Sequence, residues 1–375
     1  MTLVSTADRP IRRNPAGAVE IIDQTRLPHE LVVTELGDLE SAAEAIEAMR
    51  VRGAPLIGAT AAYGMALAAA ASASDAAIEA AHARLLRTRP TAINLKWALD
   101  AMRERLLAAA PGERAALGFV AADAVAEDDV EICAAIGRAG LGLFREILAA
   151  KPVGAPLNIL THCNAGRLAC VDWGTATAPI YMAHAAGLPI HVWVDETRPR
   201  NQGASLTAWE LGEKGVPHTV IPDNTGGHLM QHRQVDVVIV GTDRTTADGD
   251  VCNKIGTYLK ALAARDNGIP FYVALPSPTI DFTVADGVAE IPIEERGAAE
   301  VSHMTGRTAD GRIETVRIVP EGARVANYGF DVTPARLVTG LVTERGLIAA
   351  NRAALTAAFP EAARAAGRAI GESGA

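Results

Sequence analysis

Leu157-Asn158-Ile159-Leu160-Thr161, followed at once by His162-Cys163-Asn164-Ala165-Gly166, is the stretch on which the fold turns. It follows the break Lys151-Pro152-Val153-Gly154-Ala155-Pro156, and its apolar run has the length of a strand. Four more such runs follow at 191–194, 218–221, 235–240 and 271–275, with helix-length segments between them. This alternation predicts a doubly wound, Rossmann-like parallel α/β sheet buried on both faces, with its core over residues 157 to about 300.

Outward from that core the pattern is different. Leu39, Ala42, Ile46 and Met49 recur at three or four residues behind Asp38, a helix with its cap. Ala-rich helices are expected at 58–73, 75–86 and 93–109, with two more before Lys151, and short strands at 18–22 and 30–34 with Pro28 at the turn. The expected organisation is a mostly helical N-terminal domain with a small sheet (1–150), a Rossmann-like domain (151–350) and a tail (351–375). Turn residues Gly306, Gly311 and Gly322 make 301–327 a hairpin on the sheet edge, 333–345 a last core helix, and the tail a solvated helix that frays.

The chain has 375 residues, 35 Lys and Arg against 44 Asp and Glu, and a net charge of −9, which argues against a nucleic-acid surface. Residues 54–74 carry no charge but are mostly Ala, so they read as a packed core helix and not as a membrane span. Cys133, Cys163, Cys170 and Cys252 form no CxxC pair, and residues 1–18 lack the apolar run of a signal peptide. A cytoplasmic chain with reduced thiols is expected.

In an open parallel sheet, ligands bind beyond the carboxyl ends of the strands. The loops there hold His162-Cys163-Asn164-Ala165-Gly166, the segment from Asp195 to Gly203 with Gln202, Asn224-Thr225-Gly226-Gly227, and Gly241-Thr242-Asp243-Arg244, followed by Asn253-Lys254. Cys163, between a strand and an expected helix, is either a thiolate able to move protons or a buried structural thiol. Asp243 is either an acid-base group, a helix cap or a partner for Arg244. His162 is a structural hydrogen-bonding residue or a partner of the thiol. His228 and His232 have HxxxH spacing without the Glu of a metalloprotease helix, and no GxGxxG or GxxxxGK[ST] is present, so neither metal nor nucleotide cofactor is expected. Arg52-Gly53-Ala54-Pro55 and Arg89-Pro90-Thr91-Ala92 each place a guanidinium near amide donors, or are solvated arginines.

Together with Asp195-Glu196-Thr197-Arg198-Pro199 and Asn253-Lys254-Ile255-Gly256-Thr257, and in this order from about residue 18 to 345, these strings resemble the methylthioribose-1-phosphate isomerase family. That family shares its fold with non-catalytic regulatory subunits of a eukaryotic translation initiation factor exchange complex. The resemblance implies an aldose–ketose isomerase of methionine salvage, taking 5-methylthioribose 1-phosphate to 5-methylthioribulose 1-phosphate without metal or cofactor, and a homodimer. It implies Cys163 and Asp243 as catalytic residues, and Arg52, Gly53, Ala54, Arg89, Gln202, Asn253 and Lys254 as substrate contacts.

For this chemistry Asp243 is expected to be buried among apolar neighbours with Arg244 turned away, and the hydrogen moves from C2 to C1 either as a proton or as a hydride. After the shared Asn-Ala-Gly the chain departs from the pattern with Arg167 and Trp173, expected at the pocket rim. These leave 5-deoxyribose 1-phosphate and ribose 1,5-bisphosphate as alternative substrates, and a non-catalytic regulatory subunit as the alternative of another class.

Overall fold

The computed structural model describes residues 9–89 and 92–373. Met1–Asp8, Pro90, Thr91 and the last two residues, all part of the sequence reading above, lie outside the described residues. The chain opens with an antiparallel sheet, β1 (Ile11–Arg13), β2 (Val19–Ile22) and β3 (Val33–Leu36). Five helices follow: α1 (Leu39–Glu47), α2 (Ala54–Ala71), α3 (Asp75–Leu86), α4 (Ile93–Ala108) and α5 (Arg114–Ala149). Asp38 caps α1 by accepting from the Ser41 amide at 2.8 Å.

The Ala- and Gly-rich composition of α2 has a packing cause. Its residues are 78% buried, so it is a core helix although long and apolar enough to cross a membrane. The other helices press on it closely: a Cβ at Gly64 would lie 3.1 Å from Ala42 and Leu85, and one at Gly118 of α5 would lie 3.1 Å from Ala66. Where two helices were expected before Lys151, a single 36-residue α5 runs about 54 Å. The α5 glycines make room for close neighbours, Met182 and Ala178 against Gly137 and Pro179 against Gly140, rather than breaking the helix.

Beyond residue 150 come β4 (Leu157–Thr161), α6 (Ala178–Ala185), β5 (Ile190–Asp195), α7 (Ala208–Glu213), β6 (His218–Ile221), α8 (Thr225–Gln231) and β7 (Val237–Val240). Then follow β8 (Arg244–Thr246), β9 (Val251–Lys254), α9 (Thr257–Asn267), β10 (Phe271–Ala274), β11 (Ile280–Asp281), α10 (Gly287–Glu290), α11 (Ala299–Ser302), β12 (His303–Arg307), β13 (Ile313–Arg317), β14 (Phe330–Thr333), β15 (Gly340–Thr343), β16 (Gly346–Ile348), α12 (Arg352–Ala358) and α13 (Pro360–Ser373).

The main sheet has the order β16-β15-β10-β7-β4-β5-β6, parallel throughout except for the antiparallel edge β16. It is the doubly wound arrangement. Alternate side chains confirm burial on both faces: Val237 and Ile239 join the apolar cluster of the N-terminal helices, α5 and α6, while Val238 and Val240 join that of α8, α9 and α12. The first of these clusters is continuous across the 151–156 break.

Three expectations at the C-terminal end are corrected. Residues 333–345 form no helix: all four residues of β15 are buried beside β10, because Leu341, Val342 and Thr343 form a short apolar, β-branched run that fits a two-faced strand. The 301–327 hairpin exists as β12–β13 but is a separate two-stranded sheet, not an edge of the main one, and Arg307 reaches back to the His29 carbonyl at 2.8 Å. The tail is not simply solvated, since Leu355 and Phe359 are wholly buried and Arg345 lies over the Phe359 ring. A second sheet, β11-β8-β9-β14, was not foreseen and carries Asn253 and Lys254 on β9.

Candidate active site

After β6 the chain returns to lay β7 beside β4, so the strand order reverses between those two strands. A crevice opens at the carboxyl ends of strands at such a reversal. Cys163 leaves β4 there and Asp243 leaves β7. The two loops touch: a Cβ at Gly241 would lie 2.6 Å from the Ala165 Cβ.

The crevice encloses about 780 Å³ between the atoms, open mouth included, and Arg52, Gly53, Ala54, Arg89, Cys163, Gln202, Asp243 and Lys254 all line it. A smaller adjoining cavity shares Arg52, Gly53, Ala54, Cys163 and Asp243 and adds Asn253. All nine residues expected from sequence are thus brought together.

Cys163 is 6% exposed and has φ +65°, a left-handed conformation that costs a non-glycine residue about 1–3 kcal/mol. Two threonines hold it there: its amide donates to Thr197 Oγ1 at 2.8 Å, and its carbonyl accepts from Thr207 Oγ1 at 2.7 Å. No α-helix starts behind it, contrary to expectation; a short turn at Arg167–Ala169 intervenes and α6 begins only at Ala178. The positive charge near the thiol comes instead from Lys254, whose ammonium is pushed down by burial and held up by the nearby Cys163 and Asp243. Its Nζ also lies 4.5 Å from the Phe330 ring centroid.

Asp243 is half-buried on the wall, not sealed among apolar groups as expected. Its amide donates to the Cys252 carbonyl at 3.0 Å. Arg244 turns to Asp281, 3.5 Å away, while also lining the crevice. Cys252 faces the cavity, and burial followed by the Asp243 charge pushes it up to about 12.

Arg52 is pinned by Asn164, donating from Nη1 to Oδ1 at 2.6 Å and from Nη2 to the carbonyl at 2.9 Å. Asn164 in turn donates to Glu210 at 2.8 Å. Gly53 has φ +97°, and any Cβ there would lie 2.5 Å from Ala169, so only glycine lets the α2 N-terminus come so close to the cysteine loop. Its free amides and Arg52 together make an anion-binding corner. Gln202 opens a π-turn at Gly203–Thr207, and its buried Oε1 meets no donor among the described residues. Arg89 pairs with Glu294 at 3.3 Å.

Several lining residues were missed from sequence: Met49, Ile57, Ile291, Pro292, Glu294, Arg296 and Phe330. The segment 291–296 carries no motif, and only the return of the chain over the crevice puts it there. Arg167 and Trp173 are corrected in the other direction. Both are buried, Arg167 lies over Trp209 at 5.2 Å, and neither lines the crevice.

Two clusters bear on metal binding. His162, Asp195 and Asp223 converge, but the Lys260 ammonium already stands 3.2 Å from Asp195 Oδ2, where a cation would be needed. Asp129, Cys133 and Cys170 also converge, yet Asp129 Oδ2 accepts the Val171 amide at 2.7 Å, burial pushes its carboxyl up to about 7, and the hydrogen bond with Cys170, followed by burial, pushes the Cys133 thiol well above its usual value. Protein groups thus already engage both sets, although Asp195 Oδ1 has no hydrogen-bond partner among the described residues.

Residues 50–350 match the model of the Initiation factor 2 subunit family. The chain belongs to this family. Within it, the chain is 66% identical over 344 residues to a protein of Methylocella silvestris named methylthioribose-1-phosphate isomerase, covering 92% of this chain and 94% of that one. A protein of the same name from Rhodospirillum centenum is 66% identical over 346 residues, covering 92% of each. Among solved structures, the 5-methylthioribose 1-phosphate isomerase of Pyrococcus horikoshii OT3 superposes with a TM-score of 0.81 at 38% identity, covering 96% of this chain and 97% of that one. The translation initiation factor eIF-2B subunit delta from A. fulgidus gives 0.77 at 38% identity, covering 94% and 99%. The family's fold is therefore shared by members named as isomerases and members named as initiation-factor subunits.

Proposed function

We propose that the chain isomerises 5-methylthioribose 1-phosphate to 5-methylthioribulose 1-phosphate in methionine salvage, with Asp243 as acid-base and Cys163 as proton shuttle. One observation carries this reading: a thiol and a carboxyl group from the two strands of the reversal face one crevice that also holds Arg52, Arg89 and Lys254. The identity to named isomerases agrees with it.

The phosphate on O1 prevents ring opening through a free hemiacetal. Asp243, in its protonated form, donates to the ring oxygen as the C1–O bond breaks. The Cys163 thiolate takes the proton from C2, leaving an enol between C1 and C2. The thiol returns that proton to C1, the Asp243 carboxylate takes the proton of the C2 hydroxyl, and C2 becomes the ketone. Both groups end as they began. Arg52 and the α2 N-terminus hold the phosphate, with Arg89 and Lys254 adding charge. Gln202 Oε1 accepts a hydrogen bond from a sugar hydroxyl that would otherwise lose its water partner. Ile57, Ile291, Pro292 and Phe330 give the methylthio group an apolar wall.

Because Arg167 is remote from the crevice, the ribose 1,5-bisphosphate alternative loses the cation that supported it. In this reading the enzyme is a cytoplasmic homodimer, for which light scattering should give twice the 39.1 kDa chain mass. The decisive assay supplies 5-methylthioribose 1-phosphate, and separately its 5-deoxy and 5-phospho counterparts, and follows the C2 ketone by carbon NMR. Turnover of the methylthio sugar, lost at least about 10³-fold in Cys163→Ser and in Asp243→Asn while both variants melt normally, is the expected result. Absence of product from all three sugars would refute it and favour a regulatory subunit.

A further inference from the structure

Cys163 and Lys254 come from different sheets, and the residue that joins their segments is His162. Its ring is wholly buried. Nδ1 lies 2.9 Å from Asp195 Oδ2, and Nε2 lies 2.9 Å from the Ile255 carbonyl oxygen. Both neighbours are acceptors, so both ring nitrogens must donate, and the imidazolium is the form that satisfies them.

The surrounding charges agree with that form. Asp195 is wholly buried and takes the Lys260 ammonium at 3.2 Å, and Asp223 Oδ1 stands 3.9 Å from Nδ1. Two carboxylates therefore face two cations. Asp331 lies beyond, its carboxylate accepting the amides of Gly256 at 2.7 Å and Tyr258 at 3.1 Å. Asp223 also accepts the Thr197 amide at 2.7 Å, and Thr197 Oγ1 accepts the Cys163 amide, so the network runs into the cysteine loop itself. The turn after β9 sits directly on the ring: Gly256 has φ +103°, and a Cβ there would lie 3.0 Å from His162 Cε1.

We propose that His162 is a positioning residue for the isomerisation: it clamps the turn following Lys254 to the cysteine loop and so sets where the Lys254 ammonium stands relative to Cys163 and Asp243. This rests on the function proposed above. The ring does not line the main crevice but stands on the wall of the smaller adjoining cavity beside Cys163 and Asp243, with both its nitrogens turned to Asp195 and Ile255 and so away from any substrate, and its effect is read through Lys254 and the thiol.

Two variants separate clamping from simple packing. In His162→Gln the amide still reaches the Ile255 carbonyl, whereas in His162→Asn it reaches only the Asp195 side. Releasing the turn withdraws the ammonium from the thiolate, and a loss of about one pH unit of charge stabilisation lowers the thiolate population about tenfold. Alkylation of Cys163 by iodoacetamide, located by peptide mass spectrometry, should then shift upward by about one pH unit in His162→Asn. It should return close to wild type in His162→Gln, with kcat following the same order and KM changing less.

Wild-type pH profiles for alkylation in both variants would overturn the proposal. Should neither variant fold, the wild-type protein decides: two protected ring N–H resonances assigned to His162 in proton–nitrogen spectra support it, and a single one overturns it. Alkylation and NMR require no turnover, so an inactive wild-type protein would remove the isomerase reading while leaving the clamp to these two measurements.

Discussion

Glu210 is buried beneath the cysteine loop, accepting from Asn164 Nδ2 at 2.8 Å and from the Leu168 amide at 3.3 Å. Burial pushes its carboxyl up from 4.5 to about 7, against the pull of Arg167, those two donors and Arg52. Between these two pH values the folded chain holds a proton that the unfolded chain has released. Stability from this group is therefore complete below about pH 4.5, declines as pH rises, and levels off above about 7. At about 1.4 kcal/mol per pH unit, the gap from 4.5 to about 7 amounts to about 3 kcal/mol. Glu210→Gln removes the titration. Whatever constant offset the amide introduces, the stability of the variant relative to wild type should rise by about 3 kcal/mol between pH 4.5 and 8. Urea unfolding followed by tryptophan fluorescence, at one chain concentration across that range, reads the difference directly. Parallel curves would show that Glu210 keeps an ordinary carboxyl group, and the account of its burial would fail.

Two further outcomes follow from single contacts. Glu294 holds Arg89 at 3.3 Å and Arg296 at 2.7 Å inside the crevice, so it competes with an anionic substrate for both guanidinium groups. Glu294→Gln should lower KM about three- to tenfold, the size of a partly screened ion pair, and an unchanged or higher KM in steady-state assays would contradict this. Phe359 is wholly buried under the sheet, and Phe359→Ala should cost about 3–5 kcal/mol in urea unfolding, whereas a freely solvated tail would give no measurable loss.

Much of the fold was legible because parallel strands buried on both faces leave continuous apolar runs, as Val237–Val240 does. The failures have the same physical origin. Gly340–Thr343 is also a short buried run, and at four residues it fits a strand or a turn of core helix equally well until β10 is seen beside it. Gly137 and Gly140 look like breaks in α5 because a glycine's cost within a helix is visible in sequence, while the approach of Met182 and Pro179 that offsets it is not.

The site divides along a similar line. Cys163 and Asp243 were readable because strand order alone fixes which loops meet at the reversal, and both residues stand within three positions of a strand end. The apolar wall and the Glu294–Arg296 pair come from a segment with no strand of the main sheet to anchor it, so no local pattern could predict their place. Arg167 shows the converse: next to the cysteine motif in sequence, it turns away to Trp209, because the chain between Gly166 and α6 folds back into the core before the helix begins. Proximity in sequence to the crevice cysteine therefore says little about who shapes the pocket. In the proposed reaction the wall facing C5 is Ile57 of α2 together with the surface brought from residues 291–330, more than a hundred positions downstream of the thiol.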